Sequence, residues 1–396
     1  MEKSIKNVTI VGGGNSAHVI IPILAKQGYH ITLLTRKPKK WKSTVTLDYI
    51  NADNELVKKI KGSVDKISDN YPEVINKSDL VLLCLPVHVY PEIIDRIGSC
   101  IKNDKKLIIG TIYGQGGFNW MVETTMKKYH LTQIEYFAFG LIPFICRIRE
   151  YGKEAITYGS KQKNLVATSS EKLYKQLSES FLDDCCFNFF GEGKFHRVPN
   201  FISLTLSVDN QLIHPSRLYD LYTLYGGRWD SVDKVPYFYH NFTHSAAKVM
   251  KDIDSDLDKI RKAIRVKYNG VDYSMMMNYM NLEKYSYDFP IDSIYDSFMN
   301  SPTLQRIKTP VIKTKNGYEI SKKSRFFTDD IFYGLCIFKS IAEYLDVNTR
   351  HLDSLLKWAE KTTGILIFDD KNKLRESLNC GSIFKYDLDL KDMLTK

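Results

Sequence analysis

The run Gly12-Gly13-Gly14-Asn15-Ser16-Ala17-His18 follows the apolar residues Val8, Ile10 and Val11 and opens a helical pattern, which leaves the start of this chain few folds to choose from. In a turn of this layout Gly12 permits a sharp reversal from strand to helix, Gly14 lets backbone approach a pyrophosphate, and Ala17 lets helix and sheet pack closely. The N–H groups of the helix start, at Asn15 and Ser16, are then donors for phosphate. The helical pattern through Val19, Ile20, Ile23 and Leu24 ends at Gly28, and a second apolar run from Ile31 to Leu34 completes a strand-helix-strand unit of about thirty residues. A strand-helix turn that holds no ligand is the competing reading, and the complete unit favours a dinucleotide.

Further apolar runs continue the alternation: Asp79 to Leu85, ending at Pro86, then Lys106 to Gly110, then Ile134 to Phe139. Continuous apolar strands belong to a sheet covered on both faces. Ligands of such sheets bind beyond the carboxyl ends of the strands, so Pro86-Val87-His88 and Gly114-Gln115-Gly116-Gly117 are expected to line the nicotinamide side, or else to be ordinary loop. From about residue 200 the period changes: Ala246, Val249, Met250, Ile253, Leu257, Ile260 and Ile264 recur at helical spacing, and Ile331 to Leu345 is nearly all apolar. The expected fold is α/β, a Rossmann dinucleotide-binding domain over 1–196 followed by an all-helical domain over 197–396, with the break near Gly191 to Pro199.

At 396 residues, with 43% hydrophobic and 26% charged residues, the chain is long enough for two cores. Its net charge of +10 is spread along the length, and only Lys37-Pro38-Lys39-Lys40-Trp41-Lys42 is dense, which fits small anionic ligands better than nucleic acid. No apolar run approaches the ~20 residues of a membrane span and no signal peptide is visible, so a cytoplasmic monomer or homodimer without membrane or nucleic-acid partners is expected. Seven cysteines without a C-x-x-C spacing argue for reduced thiols rather than disulfides or zinc.

Other clusters divide between chemistry and plain structure. His240 and His244 are four apart but lack a third ligand, and Asp252, Asp254, Asp256 and Asp258 lack the Gly and Glu of a calcium loop, so the latter read as a solvated helix face. His214, just before Pro215, is expected at a local break in the chain, as an acid/base group or as a buried core histidine. Thr328 reads as a helix N-cap, with Asp329 and Asp330 at the positive end of the dipole. Thr35, Arg36 and Lys37 end the second strand where an acidic residue would bind a ribose 2′-hydroxyl; cations there favour a 2′-phosphate, hence NADP(H) over NAD(H).

The chain resembles the octopine/nopaline-type opine dehydrogenases, nearest to the octopine dehydrogenase branch. The resemblance is carried by Gly12 through His18, Trp41, Gly114-Gln115-Gly116-Gly117-Phe118, Pro143 through Cys146-Arg147-Ile148, Asn210 through His214-Pro215, and Arg325-Phe326-Phe327-Thr328-Asp329-Asp330. It implies a Rossmann domain joined to a helical opine dehydrogenase domain with substrates between them. By the same resemblance His214 is the acid/base, Asp330 its partner, Arg325 the holder of a substrate carboxylate, and Gln115, Cys146 and Asn210 further substrate contacts. The reaction implied is reductive condensation of an amino acid with a 2-oxo acid. The stretch Phe139-Gly140-Leu141-Ile142-Pro143 lacks the Glu that octopine-type enzymes tend to carry ahead of the proline, which argues against arginine as the amino donor. Two alternatives are a glycerol-3-phosphate or ketopantoate-type dehydrogenase, whose catalytic lysine motif is not visible, and an NADP(H)-binding protein without turnover.

Overall fold

The computed structural model describes the chain except residues 1–3, 52, 103, 288–290, 302–303, 305–306 and 377–379. The chain divides into two compact units, residues 1–205 with Lys396, and residues 206–395.

The first unit is built on an eight-stranded sheet in the order β5-β2-β1-β6-β7-β8-β11-β12. Its strands are β1 (Asn7–Val11), β2 (His30–Leu34), β5 (Lys66–Ser68), β6 (Leu80–Leu83), β7 (Leu107–Thr111), β8 (Ile134–Phe139), β11 (Lys163–Thr168) and β12 (Lys194–Arg197). All neighbours pair in parallel except β11, which runs antiparallel to β8. Every residue of β6 and β7 is buried, as continuous apolar runs require. The strand order reverses about β1, where Val11 pairs with both Leu34 and Leu83, so the ends of β1, β2 and β6 are level at the switch point of the sheet. Helix α1 (Asn15–Lys26) follows β1 and stops at Gln27, with Gly28 in the left-handed conformation beyond it.

A second sheet, β4-β3-β10-β9, is a feature the sequence pattern did not reveal. Its strands are β3 (Thr44–Ile50), β4 (Leu56–Ser63), β9 (Phe144–Glu150) and β10 (Glu154–Ser160). Most of β4 is exposed and lysine-rich, so it carries no apolar alternation to read. The sheet covers α1 closely: a Cβ on Gly62 of β4 would lie 2.3 Å from Cα of Pro22.

The second unit is mainly helical, with α2 (Asn210–Tyr225), α3 (His244–Lys267), α4 (Arg325–Thr328), a π-helical turn (Ile331–Leu335), α5 (Cys336–Tyr344) and α6 (Arg350–Thr363). A small antiparallel sheet adds to the expected all-helical plan, in the order β13 (Arg228–Trp229), β15 (Gly317–Glu319), β14 (Ile312–Thr314). No helix among the described residues is long and apolar enough to cross a membrane.

Three local expectations are corrected here. The aspartates of α3 are not a uniformly solvated face: Asp254 and Asp256 are buried. Asp254 accepts from Arg261 (2.9 Å) and from the Tyr279 N–H (2.9 Å), while Asp256 accepts the N–H groups of His351 and Leu352 and so anchors the start of α6. Thr328 is not an N-cap. Ser324 occupies that place at α4, and the Thr328 hydroxyl donates back to the Ser324 carbonyl. His214 is not at a break either, because α2 runs through Pro215, whose missing N–H costs only the bond to the Gln211 carbonyl one turn earlier.

Candidate active site

The dinucleotide turn lies where β1 ends. Gly12 has φ +123°, and a Cβ there would sit 2.4 Å from the Cys84 carbonyl oxygen, so only glycine brings this turn against the end of β6. Gly14 precedes α1 in extended conformation, and a Cβ built on it meets no protein atom within 4 Å. The space in front of the helix start is therefore open to a ligand. Donor N–H groups, the positive helix end and that clearance fit a pyrophosphate.

The neighbours of this turn are held by short contacts. Asn15 accepts the Ile148 N–H through Oδ1 (2.9 Å), Ala17 is fully buried, and the Ser16 hydroxyl meets the Cys84 thiol. Burial pushes that thiol up to about 12, with the Ser16 hydroxyl opposing and the nearby Cys146 thiol adding to the shift. Thr35 is buried at the end of β2, Arg36 and Lys37 are exposed just after it, and Pro86 is exposed just after β6. The structure thus brings Gly12, Gly14, Asn15, Ser16, Ala17, Thr35, Arg36, Lys37 and Pro86 to the carboxyl ends of adjoining strands. Gln115, beyond β7, is buried, and its Nε2 donates to the carbonyls of Gly140 (3.1 Å) and Leu204 (2.9 Å), which gives it a bracing part in this unit.

The second unit holds a separate group of residues. His214 on α2 is fully buried, with Nδ1 2.7 Å from Asp330 Oδ2 and Nε2 3.1 Å from the Tyr239 hydroxyl. Phe326 lies against the imidazole at 4.2 Å between centroids and Phe238 at 5.5 Å, so the ring has one orientation. Burial lifts the Asp330 carboxyl well above the usual carboxylate range; the Arg325 guanidinium opposes the lift and Asp329 adds to it. Arg325 opens α4 as an exposed side chain beside Phe326, and its carbonyl accepts from the N–H groups of Asp329 (2.8 Å) and Asp330 (3.2 Å). Asn210 begins α2 one turn before His214 and shares its helix face.

Local backbone explains how the two acid/base groups meet. A Cβ on Gly334 would lie 2.4 Å from Cγ of Gln211, so the glycine in the π-helical turn lets that turn press against α2. The π-helical bond from Leu335 N–H to the Asp330 carbonyl (3.0 Å) then fixes the backbone that carries the carboxylate. Tyr239 is the residue that reading the sequence missed. Its phenol donates to a bare Nε2 or accepts from a protonated one, so the imidazole can change charge without leaving that nitrogen unsatisfied. The aromatic run Tyr237-Phe238-Tyr239 carried no signal of this, since only folding brings it to His214. His240 and His244 form no metal-binding cluster among the described residues.

A Rossmann sheet with an open phosphate turn, followed by a helical unit carrying a buried imidazole-carboxylate pair, defines a nicotinamide-dependent oxidoreductase. Residues 197–363 match the alpha-helical domain of the NAD/NADP octopine/nopaline dehydrogenases, and residues 7–112 match the NADP oxidoreductase, coenzyme F420-dependent family. These likenesses support the octopine-type opine dehydrogenase family for this chain. The chain is 23% identical to a tauropine dehydrogenase of Arabella iricolor over 90% of this chain and 91% of that one. A solved octopine dehydrogenase with NADH and L-arginine shares the fold with a TM-score of 0.80 at 19% identity, over 98% of each chain. A yersinopine dehydrogenase with NADP⁺ bound does so with a TM-score of 0.67 at 14% identity, over 90% of this chain and 91% of the other.

Proposed function

We propose that the chain reductively condenses an uncharged amino acid with a 2-oxo acid such as pyruvate, drawing on NADPH in preference to NADH, and catalyses the reverse oxidation. The observation that carries the acid/base assignment is the 2.7 Å contact between His214 and Asp330, with Arg325 five residues before the carboxylate. A protein that only sensed a dinucleotide would have no use for that set.

The reaction needs the carbonyl oxygen of the oxo acid to be protonated and lost as water while the amine nitrogen gives up its protons. His214 can take a proton from the amine and return one to the departing oxygen, because an imidazole exchanges protons near neutral pH. Asp330 stabilises the charged ring and fixes which nitrogen faces the Tyr239 side. Arg325 grips the oxo acid carboxylate through two parallel hydrogen bonds. A bound nicotinamide supplies the hydride. Cys146 and Asn210 are the further substrate contacts in this reading, while the Gln115 amide nitrogen, held by the Gly140 and Leu204 carbonyls, braces the first unit. The absence of a Glu ahead of Pro143 supports an uncharged amino donor over arginine.

NADPH oxidation is expected only when an amino acid and a 2-oxo acid are both present, with the secondary amine dicarboxylate as product in mass spectrometry. Turnover of the oxo acid alone at the same rate would assign the chain to hydroxy acid chemistry instead. The cofactor preference rests on Arg36, supported by Lys37, beyond the end of β2. Loss of a charge-assisted hydrogen bond costs about 1.5–3 kcal/mol, so Arg36→Ala should weaken NADPH binding roughly 10- to 100-fold and leave NADH nearly unchanged in a fluorescence titration. Equal losses for both would assign Arg36 to the surface charge run.

A further inference from the structure

We infer that His18 is a positioning residue for the dinucleotide: its neutral imidazole clamps the carbonyl of Gly14 to the turn at Gly152, and dinucleotide affinity falls when that ring takes up a proton. The inference rests on the reading of residues 12–18 as a dinucleotide turn. It goes beyond that reading in assigning one protonation state to one buried side chain.

The hydrogens are fixed by elimination. His18, the fourth residue of α1, is fully buried, and its Nε2 lies 2.7 Å from the backbone nitrogen of Gly152. A backbone amide can only donate, so Nε2 must be a bare acceptor. The ring proton then resides on Nδ1 and is donated to the Gly14 carbonyl at 2.8 Å, the same oxygen that accepts the His18 backbone N–H at 3.2 Å. An imidazolium would carry hydrogens on both nitrogens. Its Nε2–H would face the Gly152 N–H, and the clamp would open.

The clamp joins the phosphate turn to the chain around Lys40–Lys42 by way of Gly152. Gly14 is the N-cap of the phosphate turn. Gly152 has φ +76°, and a Cβ there would sit 2.1 Å from the Lys40 carbonyl oxygen, while its own carbonyl accepts the Lys42 N–H (3.0 Å). The imidazole therefore fixes the phosphate turn relative to the segment that follows Arg36 and Lys37. Trp41 lies over the ring at 4.1 Å and Tyr151 meets its edge at 5.2 Å.

Burial lowers the basicity of His18, against a smaller opposing effect of the Gly14 carbonyl. Tyr151 is the titratable side chain in ring contact with it. The segments packed around α1 also carry charges. Lys39 and Lys40 are exposed, Glu150 pairs with Lys153, and Asp48 is engaged by Arg149 and Lys59. The sign follows from the lowered value: the clamped ring stays neutral at and somewhat below the ordinary histidine pKa of 6.5, and takes up its proton, opening the clamp, only at more acid pH. Dinucleotide affinity thus weakens toward acid.

NADH is the suitable probe, because it lacks the 2′-phosphate that titrates in the same window. Its Kd, measured by fluorescence on the full chain, is expected to stay nearly level from about pH 7.5 to about pH 6.5 and to rise by about threefold or more by about pH 5, because the lowered basicity of His18 moves the rise below the ordinary histidine range. In His18→Gln, which cannot take a proton, the Kd at the higher pH is expected to be about three- to tenfold weaker and to stay within about twofold across the range. Nitrogen-15 NMR of the wild-type chain supplies a readout independent of binding, with the His18 signals assigned by their absence in His18→Gln. A neutral ring protonated on Nδ1 is expected, and a ring protonated on Nε2 would overturn the clamp. A wild-type pH slope retained in His18→Gln would overturn the inference while leaving the dinucleotide reading intact. Failure of wild-type protein to bind NADH at either pH would overturn both.

Discussion

Asp330→Asn should leave the fold and dinucleotide binding in place while lowering turnover by about 10³- to 10⁴-fold. The carboxylate is almost fully buried and meets Nδ1 of His214 at 2.7 Å, so it both selects the tautomer and stabilises the charged ring. An asparagine of the same shape fills the space but offers no charge, and its amide can turn NH₂ toward the ring and select the other tautomer. Because the pair acts as one unit, adding His214→Ala to Asp330→Asn should cost little beyond the worse single change. The rival account, a helix-start charge worth about 0.3–1 kcal/mol of stability, fits poorly, because the helix starts five residues earlier at Arg325, whose carbonyl accepts the Asp330 N–H (3.2 Å). Steady-state kinetics beside thermal melting separates the two: a slightly lower Tm with turnover intact would leave only the helix account standing.

The largest effect on stability is expected at Asp254, far along the chain from the proposed chemistry. Arg261 is 1% exposed, with Nε donating to the Leu206 carbonyl and Nη1 donating to Asp254 (2.9 Å) and Asp258 (2.7 Å). Removing one partner of a buried pair leaves the other charge uncompensated, so Asp254→Ala should destabilise the second unit by about 3–5 kcal/mol. The Tyr279 N–H would lose its acceptor as well. Asp258 is 51% exposed, so Asp258→Ala should cost no more than about 1 kcal/mol in the same denaturant titration. Equal, small losses for both would mean that solvent reaches the Arg261 guanidinium.

These two residues also show where the sequence could be read and where it could not. Gly12, Gly14 and Ala17 were legible because each meets a local demand: a positive φ, clearance before a helix end, and close packing. The strands β6 and β7 were legible because burial on both faces leaves unbroken apolar runs. By contrast, His214 and Asp330 are 116 residues apart, and no local pattern reports such a contact; the pairing could be anticipated only from the family resemblance. Asp254 was misread because four alternate aspartates look like a charged face, although Asp254, Leu257 and Arg261 fall at helical spacing and could have suggested a buried pair. Tyr239 and the Gly152 partner of His18 were invisible for the same reason as the second sheet: each depends on which distant segment packs against α1 or α2.

The π-helical turn gives the helix from Arg325 to Tyr344 a property that a straight helix lacks. In an unbroken α-helix, Asp330 and Ile337 would share a face at i and i+7. The wider turn at Ile331–Leu335 offsets everything after it by roughly a quarter of a rotation. Downstream, Ile337 and Ser340 form the seat of the C-terminal stretch, where the Ile383 N–H donates to the Ser340 hydroxyl and a Cβ on Gly381 would lie 2.6 Å from Ile337. The tail also reaches the turn itself, where the Gly381 N–H donates to the Phe332 carbonyl (2.9 Å). Deleting a single residue between Ile331 and Leu335 would therefore force either the Asp330 carboxylate or the seat of the tail out of register.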